Sequence, residues 1–277
     1  MLLHEEGRLD LDAPIQRYVS GFPEKGYVIT TRELLGHLGG IRGYTDADGN
    51  SENTKYYETV TQSLERFEND PLAAPPGTKW LYSTYGYTLV SAAIEGASGQ
   101  DFLSFMRERV FLPLQMRDTV ADENSAVIPN RARWYNVRAD GTYRNSPYAD
   151  LSYKWAGGGF LSTAEDLVRF GSAMLRPGFL KQNTLSQILT SQKTTAGVET
   201  KYGLGWEIYP EGHGEMRRFE HSGGATGSSS LLILYPDQGV VIAWLQNNDD
   251  FRNPPLSRIA APFLAAAQKR IPGHVRH

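Results

Sequence analysis

Ser229-Ser230-Leu231-Leu232-Ile233-Leu234-Tyr235-Pro236-Asp237-Gln238-Gly239-Val240-Val241-Ile242-Ala243-Trp244-Leu245-Gln246 reads as two strands joined by a tight turn. Aliphatic and aromatic residues run on both sides of Pro236-Asp237-Gln238-Gly239, whose proline and glycine suit a hairpin connection. Both apolar runs are far shorter than the ~20 residues that cross a membrane as a helix, so they read as buried strands. Two more candidate strands precede them, at residues 204–209 and 217–221. Four strands in close succession predict an antiparallel sheet, and residues 255–268 close the chain as an alanine-rich helix.

Upstream of residue 202 the period is that of helices. Thr30-Thr31-Arg32-Glu33 forms a capping box that opens a helix over 33–38, stopped by Gly39-Gly40. Residues 56–67 place Val60, Leu64 and Phe67 on one face, as a helix would. Pro75-Pro76-Gly77 is a hard turn, and residues 46–53 read as a polar surface loop. A further helix spans 87–96, Asp101 caps another reaching 111, and Ser162-Thr163-Ala164-Glu165 is a second capping box for a helix ending near 175. Met1-Leu2-Leu3-His4-Glu5-Glu6-Gly7 is a helix tail with a glycine terminator and no N-cap. It is either a frayed terminal turn or part of a longer helix. The pattern predicts an α/β protein of the α+β kind, with a mainly helical lobe over residues 1–150 and a sheet lobe with a C-terminal helix over 151–277.

Composition narrows the function. With 277 residues, 40% hydrophobic and 21% charged, the chain can bury a substantial core. Its 28 basic and 31 acidic residues leave a net charge of −3, which argues against a nucleic-acid partner. There is no cysteine, which excludes disulfide scaffolds, cysteine nucleophiles and thiolate metal sites. Phosphate-binding, dinucleotide-binding and H-E-x-x-H signatures are missing, so neither cofactor nor metal is expected. His274 and His277 sit in a tail ill-suited to holding a metal. Gly96-Ala97-Ser98-Gly99-Gln100 approaches a nucleophile elbow but follows a helix, and reads as its terminator.

Three segments carry chemistry: Trp80-Leu81-Tyr82-Ser83-Thr84-Tyr85-Gly86-Tyr87, Trp155-Ala156-Gly157-Gly158-Gly159-Phe160 and His221-Ser222-Gly223-Gly224-Ala225-Thr226-Gly227. The first is by itself only an N-cap with a tyrosine beside it. The glycines of the other two are by themselves consistent with bulged turns, or with backbone that approaches a ligand closely. Together and in this order they resemble the serine beta-lactamase-like family of class C beta-lactamases, D,D-peptidases and related esterases. That family carries S-x-x-K, then Y-x-N, then K-T-G or H-x-G on a strand. Tyr82-Ser83-Thr84 matches the second element, with Thr84 in place of asparagine, and His221-Ser222-Gly223 matches the third. Family-like stretches also run from Gly7 to Asp12, Ile29 to His37 and Ser152 to Thr163, so the resemblance spans the chain.

The resemblance implies a beta-lactamase/transpeptidase-like fold and acyl-enzyme chemistry on a small acyl, ester or peptide substrate. It implies Tyr82 as proton shuttle, its phenol pKa lowered by neighbouring cations, and His221 as a polar group flanking the substrate. The Gly224 N–H is implied as an oxyanion donor, with Thr84, Ser222 and Gly223 contacting substrate. No S-x-x-K occurs; Thr190-Ser191-Gln192-Lys193 only imitates it. In the family that motif opens the helix ending at the position of Gly7. The nucleophile and two N-terminal strands are therefore expected upstream of Met1, and the chain as it stands is expected to be inactive. Three readings stay open at this point: a shortened serine hydrolase, a non-catalytic binding or assembly protein, and an incomplete reading frame. For single residues the alternatives are a buried Tyr82, a His221 bonded to backbone, and a His37 that packs or caps. The compartment stays open too; bacterial family members would favour a periplasmic or secreted address.

Overall fold

The computed structural model describes residues 1–45, 48, 53–212, 215–250 and 256–269. The loop expected over 46–53 lies mostly outside them, as do His274 and His277. The chain starts with α1 (Leu2–Glu5), ended by Gly7 in the left-handed region at φ 70°. A 3-10 turn (Ile15–Arg17) leads to α2 (Thr31–Leu35). Its capping box is complete: Thr30 Oγ1 accepts from the Glu33 amide at 3.2 Å, and Glu33 Oε2 accepts from the Thr30 amide at 2.9 Å. The helix stops short of the expected Leu38 because His37 turns left-handed at φ 56°.

The helix expected over 56–67 is reduced to α3 (Val60–Ser63), continued as a 3-10 turn at Leu64–Arg66. Thr59 caps it, while Tyr57 stays outside the helix, its amide donating to Ser152 Oγ at 2.8 Å. Next comes α4 (Thr84–Ser98), three residues earlier than its apolar period suggested, because Ser83 Oγ caps it by accepting from the Gly86 amide. Gly99, left-handed at φ 67°, ends it as expected. Asp101 caps α5 (Phe102–Met106), which loosens into a π-turn at Arg107–Phe111. Three short strands follow: β1 (Val120–Ala121), β2 (Tyr135–Val137) and β3 (Tyr143–Asn145).

A 3-10 turn (Ser152–Lys154) runs into α6 (Trp155–Gly158), then β4 (Phe160–Leu161), α7 (Ala164–Leu175) and α8 (Gln182–Ile188). The cap of α7 is Thr163, not Ser162. Ser162 Oγ pairs with Thr119 Oγ1 instead, and Glu165 reaches Arg169, so no capping box forms. The main sheet is β5 (Glu207–Tyr209), β6 (Arg218–Ala225), β7 (Ser228–Tyr235) and β8 (Val240–Gln246), antiparallel in chain order. The last helix, α9 (Leu256–Gln268), contains Pro262.

Burial follows the strand period. Phe219, Leu232 and Leu234 point to one face of the sheet, where they pack with Met174, Leu180, Leu185 and Ile188 around α7 and α8. Ile233 and Ile242 point to the other, against Ala260 and Leu264 of α9. A separate core of helical residues gathers Ile15, Ile29, Leu34, Val60, Leu89 and Phe102 around α4. Helix α1 joins the two: Leu3 packs with Phe105 and Leu204, and Met1 and Leu2 lie against the α7–sheet core.

Candidate active site

Tyr82 sits just before the N-cap of α4, in a segment held by the His37 turn. The Leu81 amide donates to the His37 carbonyl at 2.8 Å and the Ser83 amide to His37 Nδ1 at 3.2 Å. Because Nδ1 accepts, the proton of this imidazole is on Nε2, which has no hydrogen-bond partner among the described residues. The ring is 3% exposed and enclosed by Tyr82, Tyr202 and Tyr87, whose centroids lie 4.2, 4.9 and 5.2 Å away. Burial, and secondarily the facing His221, lowers its pKa to about 3, so His37 stays neutral. It packs and caps, as the sequence suggested for it.

Strand β6 supplies the facing wall. It runs without a break through His221-Ser222-Gly223-Gly224, whereas the sequence reading ended the strand at His221. The glycines stay extended because β7 pairs with them: Gly223 opposes Ser230 and Gly224 opposes Ser229 before a two-residue turn at Thr226 and Gly227. A Cβ on Gly223 would come 2.3 Å from Ser230 Oγ, which explains why glycine suits that position. On its other side β6 is paired by β5 only over Arg218, Phe219 and Glu220, leaving 221–225 as a free edge. The Ile208 amide goes to Lys201 rather than to its partner Phe219. Ladder alternation then turns the backbone groups of Glu220 toward Glu207 of β5, and those of Ser222 and Gly224 to the same side, past the end of β5.

His221 bridges this edge to the interior. Its Nδ1 lies 2.6 Å from the Ser222 carbonyl and its Nε2 2.8 Å from the Tyr202 hydroxyl. A carbonyl only accepts, so Nδ1 carries a proton, and Nε2 pairs with the Tyr202 hydroxyl. The Tyr82 and His221 rings are 6.3 Å apart. Tyr82 is 49% exposed. Its phenol pKa is raised, by burial first and by Glu207 second, which is opposite in sign to the lowering expected from neighbouring cations. Ser83, by contrast, is buried and committed, donating to the Arg42 carbonyl at 2.6 Å while capping α4.

Tyr82, Thr84, His221, Ser222, Gly223 and Gly224 all line one cleft of about 2030 Å³. The motif reading missed two neighbours: Tyr202, whose tie to His221 no local pattern reveals, and Lys154, which also lines the cleft. For Lys154 the signal was a charged residue set between Tyr153 and Trp155 in an apolar stretch. No group of three or more His, Asp or Glu side chains that could hold a metal occurs among the described residues. No helix among them is long and apolar enough to cross a membrane.

A beta-lactamase family model matches residues 1–267. The chain belongs to the beta-lactamase family. The mitochondrial serine beta-lactamase-like protein LACTB of Homo sapiens is 35% identical over 85% of this chain and 60% of its own length. Penicillin-binding protein 4* of Bacillus subtilis (strain 168) is 27% identical over 90% of this chain and 58% of its own. The chain thus spans about 60% of the length of these relatives. A D-stereospecific amidohydrolase from Streptomyces sp. superposes with a TM-score of 0.79 at 25% identity, over 94% of this chain and 81% of that one. The D-amino acid amidase of Ochrobactrum anthropi shares the fold, with a TM-score of 0.78 at 24% identity over 97% of this chain and 79% of its own. The beta-lactamase/transpeptidase-like architecture expected from the motifs is the one observed, and the family lies within the serine hydrolase superfamily.

Proposed function

We propose that the cleft performs acyl transfer on a small amide, peptide or ester. The observation that carries this reading is the placement of Tyr82 beside the unpaired edge of β6, with His221 at its near end, in one cleft. Tyr82 would shuttle the proton, Gly224 N–H would hold the oxyanion, and Thr84, Ser222 and Gly223 would contact the substrate. The lobes that bring these together correspond to residues 1–150 and 151–277. The Streptomyces amidohydrolase and the penicillin-binding relatives favour an amide or peptide substrate over an ester.

The 277 residues hold no S-x-x-K. By the family pattern we assign the nucleophilic serine and its lysine to the helix that ends at Gly7, on which Met1, at the N-cap position of α1, lines the same cleft. Serine and lysine three positions apart share a helix face, so the amine can take the hydroxyl proton. A lysine ammonium there would also lower the Tyr82 phenol, reversing the direction set by burial.

The test compares two lengths of chain. Residues 1–277 alone should not be labelled covalently by a fluorescent penicillin. A chain extended by the residues encoded ahead of Met1 should contain S-x-x-K and hydrolyse a p-nitrophenyl ester in a serine-dependent way. Tyr82→Phe in the extended chain should lose about 10²–10⁴-fold in rate. Stoichiometric labelling of Ser83 or Ser222 in the short chain would refute the assignment of the nucleophile. An extended chain with no S-x-x-K, or with no serine-dependent hydrolysis, would leave a binding or assembly role in its place.

A further inference from the structure

Lys154 ends the 3-10 turn that leads into α6, and its side chain is 4% exposed. It lines the cleft, between the buried rings of Tyr153 and Trp155 in sequence. Among the described residues its ammonium makes no hydrogen bond and no carboxylate comes within ion-pairing distance; its contact is with the Tyr153 ring, whose centroid is 5.8 Å from Nζ. The carboxylate that acts on it electrostatically, Asp122, is already paired with Arg131. Burial lowers the Lys154 pKa to about 8, with Asp122 offsetting only part of that. A desolvated ammonium without a counterion is a costly thing to keep in a fold.

Two further observations say what it faces. Helix α6 packs on α4: a Cβ on Gly157 would lie 2.5 Å from Thr84 Cγ2, so the segment carrying Lys154 adjoins the start of α4. The charged side chains on the cleft wall, besides His221, are Arg117, Arg131, Arg133 and Lys154 against Asp118 and Asp122. A cationic excess there, on a chain of net charge −3, is selective for anions.

We propose that Lys154 forms an anion subsite of the cleft, its ammonium taking a carboxylate of the bound ligand beyond Thr84 and Gly157. This deepens the acyl-transfer reading and rests on it for the rest of the ligand, but the charge contact requires no chemistry and can be measured on the chain as it stands. Lys154 is a recognition residue in this account, with no part in bond making.

Residues 1–277 are titrated by calorimetry, at neutral pH and low salt, with acetyl-Ala-Ala bearing a free carboxylate and with the same peptide as its amide. The acid should bind at least tenfold more tightly. Lys154→Met should bind the two alike and melt no lower than wild type, because an apolar chain replaces an unpaired charge. Asp122→Asn should tighten the acid selectively, since it removes the opposing carboxylate. Equal binding of acid and amide by wild type, no binding of either, or a preference that survives Lys154→Met each overturns the proposal. So does a Lys154→Met chain that no longer folds, or an Asp122→Asn chain that gains nothing. If the acid preference depends on Lys154 while the extended chain shows no serine-dependent hydrolysis, acyl transfer alone is lost.

Discussion

Acidification from pH 6.5 to pH 5 should destabilise this protein through His37. The ring is enclosed by three tyrosines, its Nδ1 already accepts the Ser83 amide, and its pKa is lowered from 6.5 to about 3. Between those values the unfolded chain takes up a proton that the folded chain refuses. Stability therefore falls as pH falls, by about 1.4 kcal/mol per pH unit, until the folded state also protonates near pH 3. From pH 6.5 to 5 the loss is about 2 kcal/mol, or roughly 4–8 °C in Tm for a large single domain. Asp48, whose carboxyl is held low by Arg42 and Thr45 against the opposing effect of burial, acts in the same direction but only below the ordinary aspartate range. The control is His37→Phe, which keeps a ring but cannot titrate. At pH 7 it should cost about 1–3 kcal/mol, since the buried Ser83 amide loses its acceptor. Urea unfolding followed by tryptophan fluorescence, at half-unit steps from pH 7 to 5, gives both curves. The gap between them should close as pH falls, because carboxylates common to both chains cancel. Parallel curves would mean that the folded ring accepts a proton in this range, and the enclosed site described for it would be wrong.

Two other substitutions test the local geometry. Gly157→Ala places a Cβ 2.5 Å from Thr84 Cγ2 and 3.1 Å from the Thr84 carbonyl; it should cost about 1–3 kcal/mol in urea unfolding and weaken ligand binding in the cleft, and a neutral result would mean α6 is not seated on α4. Ser83→Ala removes the cap of α4 and should cost about 0.5–2 kcal/mol in the same assay, while leaving serine-dependent hydrolysis by the extended chain in place. Abolished hydrolysis with unchanged stability would instead make Ser83 chemical.

How far the sequence could be read depended on whether the determining contact was local. The Thr30–Glu33 capping box, the Gly99 terminator and the β7–β8 hairpin are each decided within a few residues, and each was legible. The short α3 was not, because the Tyr57 amide is taken by a hydroxyl on Ser152, far along the chain. Strand β5 is shorter than its apolar run for a similar reason. Gly203 lies so close to the Ile188 carbonyl that a Cβ there would come within 2.2 Å, and Gly205 is left-handed at φ 93°. In the site, Tyr82, Thr84 and the His221–Gly224 segment carry a recognisable spacing. Tyr202 beneath His221 has no spacing of its own and is visible only once the two walls meet, whereas His37 reads from the sequence as a packing or capping residue and the structure adds that Tyr82 is what it packs on.

The division of the cleft between α4 and the edge of β6 bears on the order in which the molecule takes shape. Strands β6, β7 and β8 are joined by turns of a few residues, so their pairing closes small loops at little entropic expense. The rings that define the cleft come instead from opposite ends of the chain, and their contacts have high sequence separation. The sheet can therefore exist before the cleft does. By the same token the cleft is where partial opening of the native state should be felt first, so that a bound ligand would act as a clasp between α4 and the sheet.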